Sequence, residues 1–170
     1  MNRSLQFSYP KFLGYLALAG FVVVIDQLSK QAALVNLMGQ RPMEILPFFQ
    51  LALVFNEGAA FGFLNDAGGW QHYFFVTLAI IVSGVLVSWL WRAHGRNAML
   101  SWGLALVLGG ALGNLIDRIS HQFVVDFILL HYRGWQFPAF NIADSAITVG
   151  AVALILDSLG WRFGKRDHVK

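Results

Sequence analysis

Cysteine is absent from the 170-residue chain, which excludes disulfide bonds, thiol nucleophiles and thiolate metal sites. Charged residues are also scarce: they make up 12% of the chain, against 57% hydrophobic residues and a mean hydropathy of +0.59. A typical soluble domain carries about 25% charged residues. The composition therefore indicates an integral membrane protein.

The sequence also lacks internal repeats, low-complexity tracts and flexible linkers, so a single membrane domain is expected over residues 1–170. Its five histidines show no paired helical spacing and no HExxH motif, and we therefore expect no bound metal and no other cofactor. Ser29 adjoins Lys30, but neighbouring helix positions point about 100° apart, which disfavours a serine–lysine catalytic dyad.

Two segments are long and apolar enough to cross a bilayer, which needs about 20 mostly apolar residues in helical form. They are Phe74–Trp91 and Ala98–Ile116. A shorter run, Phe12–Ile25, is predicted to continue through Asp26 and Lys30, which then become i,i+4 neighbours.

The last apolar run, from Ser145 to Leu156, is too short by itself to span the membrane. Its helix is therefore predicted to begin near Asn141 and to carry Asp144 in its first turn. The four predicted spans are residues 12–36, 70–91, 98–117 and 141–161, and loops 37–69 and 118–140 join them on one side of the membrane.

Basic residues predict the orientation, because Lys and Arg are enriched on cytoplasmic flanks. The flanks that carry them here hold Arg3, Lys11, Arg92, Arg96, Arg162, Lys165, Arg166 and Lys170. Both termini are therefore expected in the cytoplasm, with an uncleaved first span. The same clustering explains the pI near 9.5, so membrane lipids are expected as partners and nucleic acid is not.

Two short apolar runs in the non-cytoplasmic loops favour β-strands. Ile45–Phe55 is rich in Phe and Val and is interrupted by Pro47, and Phe123–Leu130 is followed by a turn-like Arg-Gly pair. We expect these runs to pair at the bilayer surface, with apolar residues toward lipid. The predicted fold class is an all-α integral membrane protein of four transmembrane helices, with a small β-sheet platform on the non-cytoplasmic side.

The third span carries a stripe of small residues and ends in a polar cluster. Ala105, Gly109 and Gly113 recur every four residues, which predicts close packing of another helix. Asn114, Asp117 and Arg118 follow at the helix end. For Asp117 alone, a structural salt bridge or cap is an equally good interpretation.

Asp126 and Asp144 lie against apolar sequence, where an unpaired carboxylate is costly and usually marks a functional site. A structural interpretation exists for part of this pattern, since Asn141 could cap a helix that has Asp144 at its third position. However, many polar residues project onto one membrane face, which a purely structural account does not explain. They are Asp26, Lys30, Asn56, Asn114, Asp117, Arg118, Asp126, Asn141 and Asp144.

Three functions are compatible with these intramembrane carboxylates. Two close aspartates can share one proton and activate water for hydrolysis. A small proton-coupled transporter or channel would use them as relay sites, although such a path should place polar residues at several depths. A non-enzymatic assembly or lipid-binding protein would use the polar cluster only to brace its loops.

Five motifs in order resemble the lipoprotein signal peptidase family over nearly the whole chain. They are DQLSK at Asp26–Lys30, NEGAAF at Asn56–Phe61, GGALGNLIDR at Gly109–Arg118, VVDF around Asp126 and FNIAD ending at Asp144. The resemblance implies signal peptidase II, an intramembrane aspartyl endopeptidase of the bacterial inner membrane. Such an enzyme cuts prolipoproteins just before their diacylglyceryl-modified cysteine.

The same resemblance implies roles for the polar residues. Asp126 and Asp144 would form the catalytic dyad, and Asp26 and Lys30 would support the surrounding structure. The residues implied to line the site or brace the dyad are Asn56, Asn114, Asp117, Arg118 and Asn141. In such a dyad the ionised aspartate takes a proton from water and the protonated one stabilises the oxyanion. We expect a monomer whose site faces the outer leaflet and whose substrates are lipid-modified prolipoproteins.

Overall fold

The computed structural model describes residues 9–58, 69–95 and 97–161. Within these residues there are four helices and four strands. In chain order they are α1 (Tyr9–Leu37), β1 (Met43–Leu46), β2 (Phe49–Asn56), α2 (Trp70–Ala93), α3 (Ala98–His121), β3 (Val124–Tyr132), β4 (Trp135–Gln136) and α4 (Ile142–Ser158). Residues 59–61 of the NEGAAF motif lie outside the described residues, as do the flanking Arg3, Arg96, Arg162, Lys165, Arg166 and Lys170.

Three helices are long and apolar enough to cross a membrane, namely α1, α2 and α3. The first three predicted spans fall on these helices, which extend a few residues beyond the predicted ends. The fourth helix begins where predicted, because Asn141 caps it, but it ends at Ser158 after 17 residues. That length is somewhat below the roughly 20 residues of an ordinary span.

Helix α3 lies at the centre of the bundle. In its most apolar 18-residue window 61% of the residues are buried, against 22% in α1 and 17% in α2. Its buried leucines, Leu104 and Leu108, pack with Leu86 and Leu90 of α2 and with Ala19 of α1. The outer faces of α1 and α2 are exposed and apolar, as expected of helices that face lipid.

The predicted stripe of small residues in α3 does receive another helix. A methyl group on Gly109 would come within 2.7 Å of Val22 Cβ and 2.8 Å of the Ala19 carbonyl oxygen, so α1 packs directly against this backbone. Gly113 lies opposite Asp26 in the same way.

A second small-residue contact, which was not predicted from the sequence, joins α3 to α4. Gly103 packs against Gly150 and Leu154, and Gly110 packs against the backbone of Ala143. Each glycine removes a Cβ that would hold the two helices apart. As a result, the first turn of α4 lies against the middle of α3.

The four strands form one antiparallel sheet in the order β1-β2-β3-β4. The predicted pairing of the two apolar runs is confirmed, since Phe49–Asn56 pairs with Val124–Tyr132. However, the first run is a hairpin rather than a single strand, because Pro47 cannot donate a ladder hydrogen bond and lies in the turn between β1 and β2.

The short strand β4 was not predicted as a strand, although its turn was. Arg133 and Gly134 have φ angles of 50° and 84°, the left-handed conformation that a two-residue hairpin turn requires. Because β2 follows α1 and β3 follows α3, the sheet places both connecting segments at the same end of the helical bundle. Many apolar side chains of this sheet are exposed, including Ile45, Phe55 and Trp135.

Candidate active site

One cavity of about 1030 Å³ opens between the sheet and α4 and contains both aspartates of the predicted dyad. Asp126 comes from the buried first half of β3, and Asp144 comes from the first turn of α4. Asn56, Asn114 and Arg118 line the same cavity. The carboxylates thus share one space, large enough to admit water, although they lie on different elements.

Asp126 is 1% exposed and accepts one hydrogen bond at each carboxylate oxygen. Asn56 Nδ2 donates to Oδ2 at 3.0 Å, and Asn141 Nδ2 donates to Oδ1 at 2.8 Å. The sheet register makes the first contact possible, because Val54 pairs with Asp126 and Asn56 pairs with Val124. The side chains of Asn56 and Asp126 are therefore two positions apart on the same face of the sheet.

Asp144 forms a reciprocal capping box with Asn141. The Asp144 backbone N–H donates to Asn141 Oδ1 at 2.8 Å, and the Asn141 backbone N–H donates to Asp144 Oδ2 at 3.2 Å. The other oxygen, Oδ1, accepts from Asn114 Nδ2 at 2.8 Å. The capping interpretation of Asn141 is therefore confirmed, and the same side chain also reaches Asp126.

Burial raises the pKa of the Asp126 carboxyl to about 7, and the nearby negative charge of Asp144 contributes to this rise. The hydrogen bonds from Asn56 and Asn141 oppose the shift because they stabilise the ionised form. An aspartic acid that stays partly protonated at neutral pH can donate a hydrogen bond as well as accept one. A second carboxylate in the same cavity, that of Asp144, can serve as a base.

A buried ion cluster lies directly behind this pair. The Lys30 ammonium is 2.8 Å from Asp26 Oδ2, 3.0 Å from Asp117 Oδ2 and 2.9 Å from Asn114 Oδ1. These contacts use all three of its N–H groups. The predicted i,i+4 relation of Asp26 and Lys30 and the salt-bridge interpretation of Asp117 are both confirmed.

The two acids of this cluster also hold the elements that carry the dyad. Asp26 Oδ1 accepts from the backbone N–H of Ala143 at 2.8 Å, which fixes the start of α4. Asp117 Oδ2 accepts from the backbone N–H of Val125 at 2.9 Å, which fixes β3 one residue before Asp126. The cluster thus ties α1, α3, β3 and α4 together next to the cavity.

Gln27 belongs to this cluster and was not singled out from the sequence. Its amide donates to Asp117 Oδ1 at 2.8 Å, to the Gly113 carbonyl oxygen at 3.1 Å and to Asp26 Oδ2 at 3.3 Å. Its place between Asp26 and Lys30 in a membrane helix was the available signal, since a polar side chain at that depth needs a partner.

Arg118 forms the wall of the cavity on the side of the connection between α1 and α2. One of its amino groups, Nη2, donates to the Gly58 carbonyl oxygen at 3.0 Å, and its guanidinium lies 5.2 Å from the centre of the Phe75 ring. A planar cation held in this way can bind a peptide carbonyl.

Two other chemistries find no support at this site. Ser29 donates its hydroxyl to the Asp26 carbonyl oxygen at 2.7 Å, and Lys30 is fully engaged with acids and an amide, so they form no serine–lysine dyad. Across residues 9–58, 69–95 and 97–161, no group of three or more His, Asp or Glu residues is arranged to hold a metal ion.

All nine polar residues predicted for the site thus belong to one assembly around the cavity and its supporting cluster. The cavity is also lined by apolar side chains of the sheet, of the segment that follows β4 and of α4, among them Leu130, Phe137, Ile147 and Val149. The cavity thus combines two carboxylates that can activate water with a largely apolar lining. These two features suit hydrolysis of a bond in a substrate that lies partly in lipid.

Comparison with known proteins agrees with this geometry. Residues 18–160 match the family model of signal peptidase (SPase) II. A lipoprotein signal peptidase of Acinetobacter baumannii is 51% identical over 150 residues, covering 88% of this chain and 85% of that protein. One from Pseudoalteromonas atlantica is 45% identical over 157 residues, with 92% and 93% covered.

A similar fold has also been solved experimentally. A bacterial membrane enzyme determined by the in meso method has a TM-score of 0.76 and 33% identity, covering 92% of this chain and 94% of that one. The family match spans most of the chain and includes both aspartates, Asp126 and Asp144. The chain therefore belongs to the signal peptidase II family.

Proposed function

We infer that this protein is a membrane aspartyl endopeptidase that removes signal peptides from bacterial prolipoproteins. We propose that Asp126 and Asp144 carry out the hydrolysis and that the cut falls just before the lipid-modified cysteine. The observation that carries the proposal is the shared cavity, in which amide donors from Asn56, Asn114 and Asn141 hold the two carboxylates in place.

The positions of the two aspartates suggest how they divide the work. Asp144 lies at the N-terminus of α4, where the helix dipole and a backbone N–H both favour a negative charge. Asp126 is more deeply buried, and desolvation favours its neutral form. We therefore assign the base to Asp144 and the acid to Asp126.

In this mechanism the Asp144 carboxylate takes a proton from a water molecule, whose oxygen bonds to the carbon of the scissile carbonyl. The Asp126 carboxylic acid donates a hydrogen bond to the developing oxyanion. The proton taken up by Asp144 then passes to the leaving nitrogen, and the carbon–nitrogen bond breaks. The products are the signal peptide with a new carboxylate and the lipoprotein with a free amine on its modified cysteine.

The remaining predicted residues support this reaction in different ways. Asn56, Asn114 and Asn141 orient the carboxylates, and Arg118 is placed to bind the substrate backbone next to them. Asp117 holds β3 through the Val125 backbone. Asp26 and Lys30 brace the helices that carry the site.

We propose that α4, together with its flanking residues to about position 161, forms a fourth span. Four crossings place both termini on one side, and the basic flanks assign that side to the cytoplasm. The sheet and the cavity then lie toward the outer leaflet of the inner membrane, where water can reach the aspartates. The exposed apolar side chains of the sheet would contact lipid there, and the chain is expected to act as a monomer.

The test is cleavage of a diacylglyceryl-modified prolipoprotein in liposomes by the wild type and by Asp126→Asn and Asp144→Asn variants. Both variants keep the size and much of the hydrogen bonding of the site, so both are expected to fold and to lose at least about 10³-fold in turnover. Glu44→Gln, which changes an acid on exposed strand β1, is the matched control and should cleave normally. Turnover retained in either folded Asp variant would refute the dyad.

A further inference from the structure

The three asparagines at the site share one orientation. In each of them the amide oxygen faces a group that can only donate, and the amide nitrogen therefore faces a carboxylate. Asn56 Oδ1 accepts from the Gly58 backbone N–H at 3.1 Å, and Asn141 Oδ1 accepts from the Asp144 backbone N–H at 2.8 Å. Since a backbone N–H cannot accept a hydrogen bond, neither amide can turn over without losing its partner.

Asn114 differs because a side chain holds its oxygen. Lys30 Nζ donates to Asn114 Oδ1 at 2.9 Å, while Asn114 Nδ2 donates to Asp144 Oδ1 at 2.8 Å. Asn141 Nδ2 also approaches Asn114 Oδ1 at 3.1 Å, but it has two N–H groups for three acceptors and its shortest contact is to Asp126. The Lys30 ammonium carries a full charge and has no lone pair that could accept a hydrogen bond. It is therefore the main group that fixes the orientation of the Asn114 amide.

Reversal of the Asn114 amide has a chemical consequence at the dyad. Its nitrogen would then face the ammonium, and its oxygen would face Asp144. Two acceptors meet favourably only if Asp144 carries a proton to donate. A group that opposes the reversal therefore also opposes protonation of Asp144.

We propose that Lys30 is a positioning residue for the reaction. By holding the side-chain oxygen of Asn114, it keeps the Asn114 amide nitrogen directed at Asp144. Asp144 thereby stays the ionised, proton-accepting member of the pair. This inference rests on the proposed function of the dyad, and it adds to the bracing role of Lys30 a role in the protonation of the site.

Other charges also face Asp144 and have to be controlled in any test. They are Asp26 and Lys30 on α1, Arg118 on α3 and Asp126 on β3, while Asp117 of α3 acts on Arg118 and Lys30. Replacing Lys30 alone would leave the acids of α1 and α3 without their cation, and this change in field would by itself disfavour ionised Asp144. The useful variant therefore removes one positive and one negative charge together.

The decisive variant is Lys30→Met combined with Asp26→Asn, which keeps the net charge of the ion cluster but leaves the Asn114 oxygen without its ammonium. The measurement is kcat/KM for a lipid-modified prolipoprotein across pH, alongside Tm. In the plot of kcat/KM against pH, we call the fall in activity at low pH the acidic limb. We expect this limb to move upward by about one pH unit, so that kcat/KM falls about tenfold at low pH and recovers at higher pH. The Asp26→Asn single variant measures the effect of that substitution by itself. Because it removes a negative charge that faces Asp144, its acidic limb should not move upward.

Gln27→Leu is the matched control for stability. It removes hydrogen bonds to Asp26, Asp117 and the Gly113 carbonyl from the same cluster, but Gln27 makes no side-chain hydrogen bond to Asn114. Its Tm should fall while the acidic limb stays at the wild-type pH. An equal displacement in Gln27→Leu, or an undisplaced limb in the double variant, would overturn the positioning role.

A second variant covers failure of the first to fold. In Lys30→Gln with Asp26→Asn, the new amide can face Asn114 with either its oxygen or its nitrogen. We therefore expect the acidic limb to move in the same direction as in the first variant. An unchanged pH profile would overturn the proposal. The dyad is tested separately, since a cleaving Asp144→Asn variant would refute the proposed function itself. If Asp144→Asn is inactive but the Lys30 double variants have the same pH profile as the wild type, only the role of Lys30 is refuted.

Discussion

Replacing Asp126 with asparagine should make the variant gain stability relative to the wild type as pH rises, although it destroys the proposed active site. Burial raises the pKa of the Asp126 carboxyl to about 7, whereas in the unfolded chain it titrates near its ordinary value of 3.8. Between these values the folded protein binds one proton more than the unfolded chain at this position. The contribution to the free energy of unfolding is therefore full below pH 3.8 and is lost as pH rises toward 7.

The size of the effect follows from the same shift. Well inside this window each pH unit changes the free energy of unfolding by about 1.4 kcal/mol, and the slope halves at the folded-state pKa. Asp126 therefore removes about 2 kcal/mol between pH 5 and pH 7 and less than about 1 kcal/mol more above it. The asparagine that replaces it would not titrate, but its side chain has only one oxygen for the donors Asn56 and Asn141. The unpaired donor costs about 1–3 kcal/mol at every pH.

The titration of Asp126 and the unpaired donor together predict how the free energies of unfolding of the two proteins compare. Plotted against pH, the curves of the wild type and of Asp126→Asn should approach each other or cross. Relative to the wild type, Asp126→Asn should gain about 3 kcal/mol on going from pH 5 to pH 8, whatever its constant penalty. The measurement is unfolding by denaturant in detergent micelles at several pH values. Val125→Ala, a truncation of the neighbouring buried residue, is the control and should show the same loss at each pH. Parallel curves for Asp126→Asn and the wild type would refute the raised pKa and with it the assignment of Asp126 as the acid.

Two further predictions compare matched positions. Gly110→Ala should cost about 1–3 kcal/mol of stability and reduce cleavage, because its Cβ would meet the Ala143 backbone and push α4 with Asp144 away. Gly84→Ala is the control, because open space surrounds that position and the substitution should be neutral. Equal thermal stability and turnover of the two variants would contradict the close contact of α3 and α4. Asn141→Ala and Asn97→Ala each remove a helix N-cap worth about 1 kcal/mol, but only Asn141 also donates to Asp126. Turnover per folded molecule should therefore fall at least about tenfold in Asn141→Ala alone, and similar kinetics in both would show that Asn141 acts only as a cap.

Much of the architecture could be predicted because it depends on local patterns. Hydropathy located α2 and α3, and the charges of Asp26 and Lys30 did not prevent the prediction of one continuous α1. The runs of β-branched and aromatic residues located β2 and β3, since no helix of about eight residues could cross the membrane there. The hairpin in the first run was missed, although Pro47 was the residue that required it.

The geometry of the site could be predicted only in part. Residue types identified which side chains belong together, because a polar group at membrane depth needs a partner. Which oxygen each donor meets depends on the sheet register and on helix contacts between residues such as Gln27 and Asp117, 90 positions apart. The two interpretations of Asn141 appeared to be alternatives, yet one amide oxygen caps the helix while the amide nitrogen of the same side chain reaches Asp126.

The sheet also imposes an order of events during synthesis. Asn56 on β2 and Asp126 on β3 meet across 70 residues of chain, which a ribosome needs about 4 to 14 s to add. Until β3 has emerged, the β1–β2 hairpin has no partner for one of its edges, and neither aspartate exists. If Asp126 and Asp144 form the dyad as proposed, the nascent chain is inactive through most of its insertion, and it can cut neighbouring precursors only after its last helix has been made.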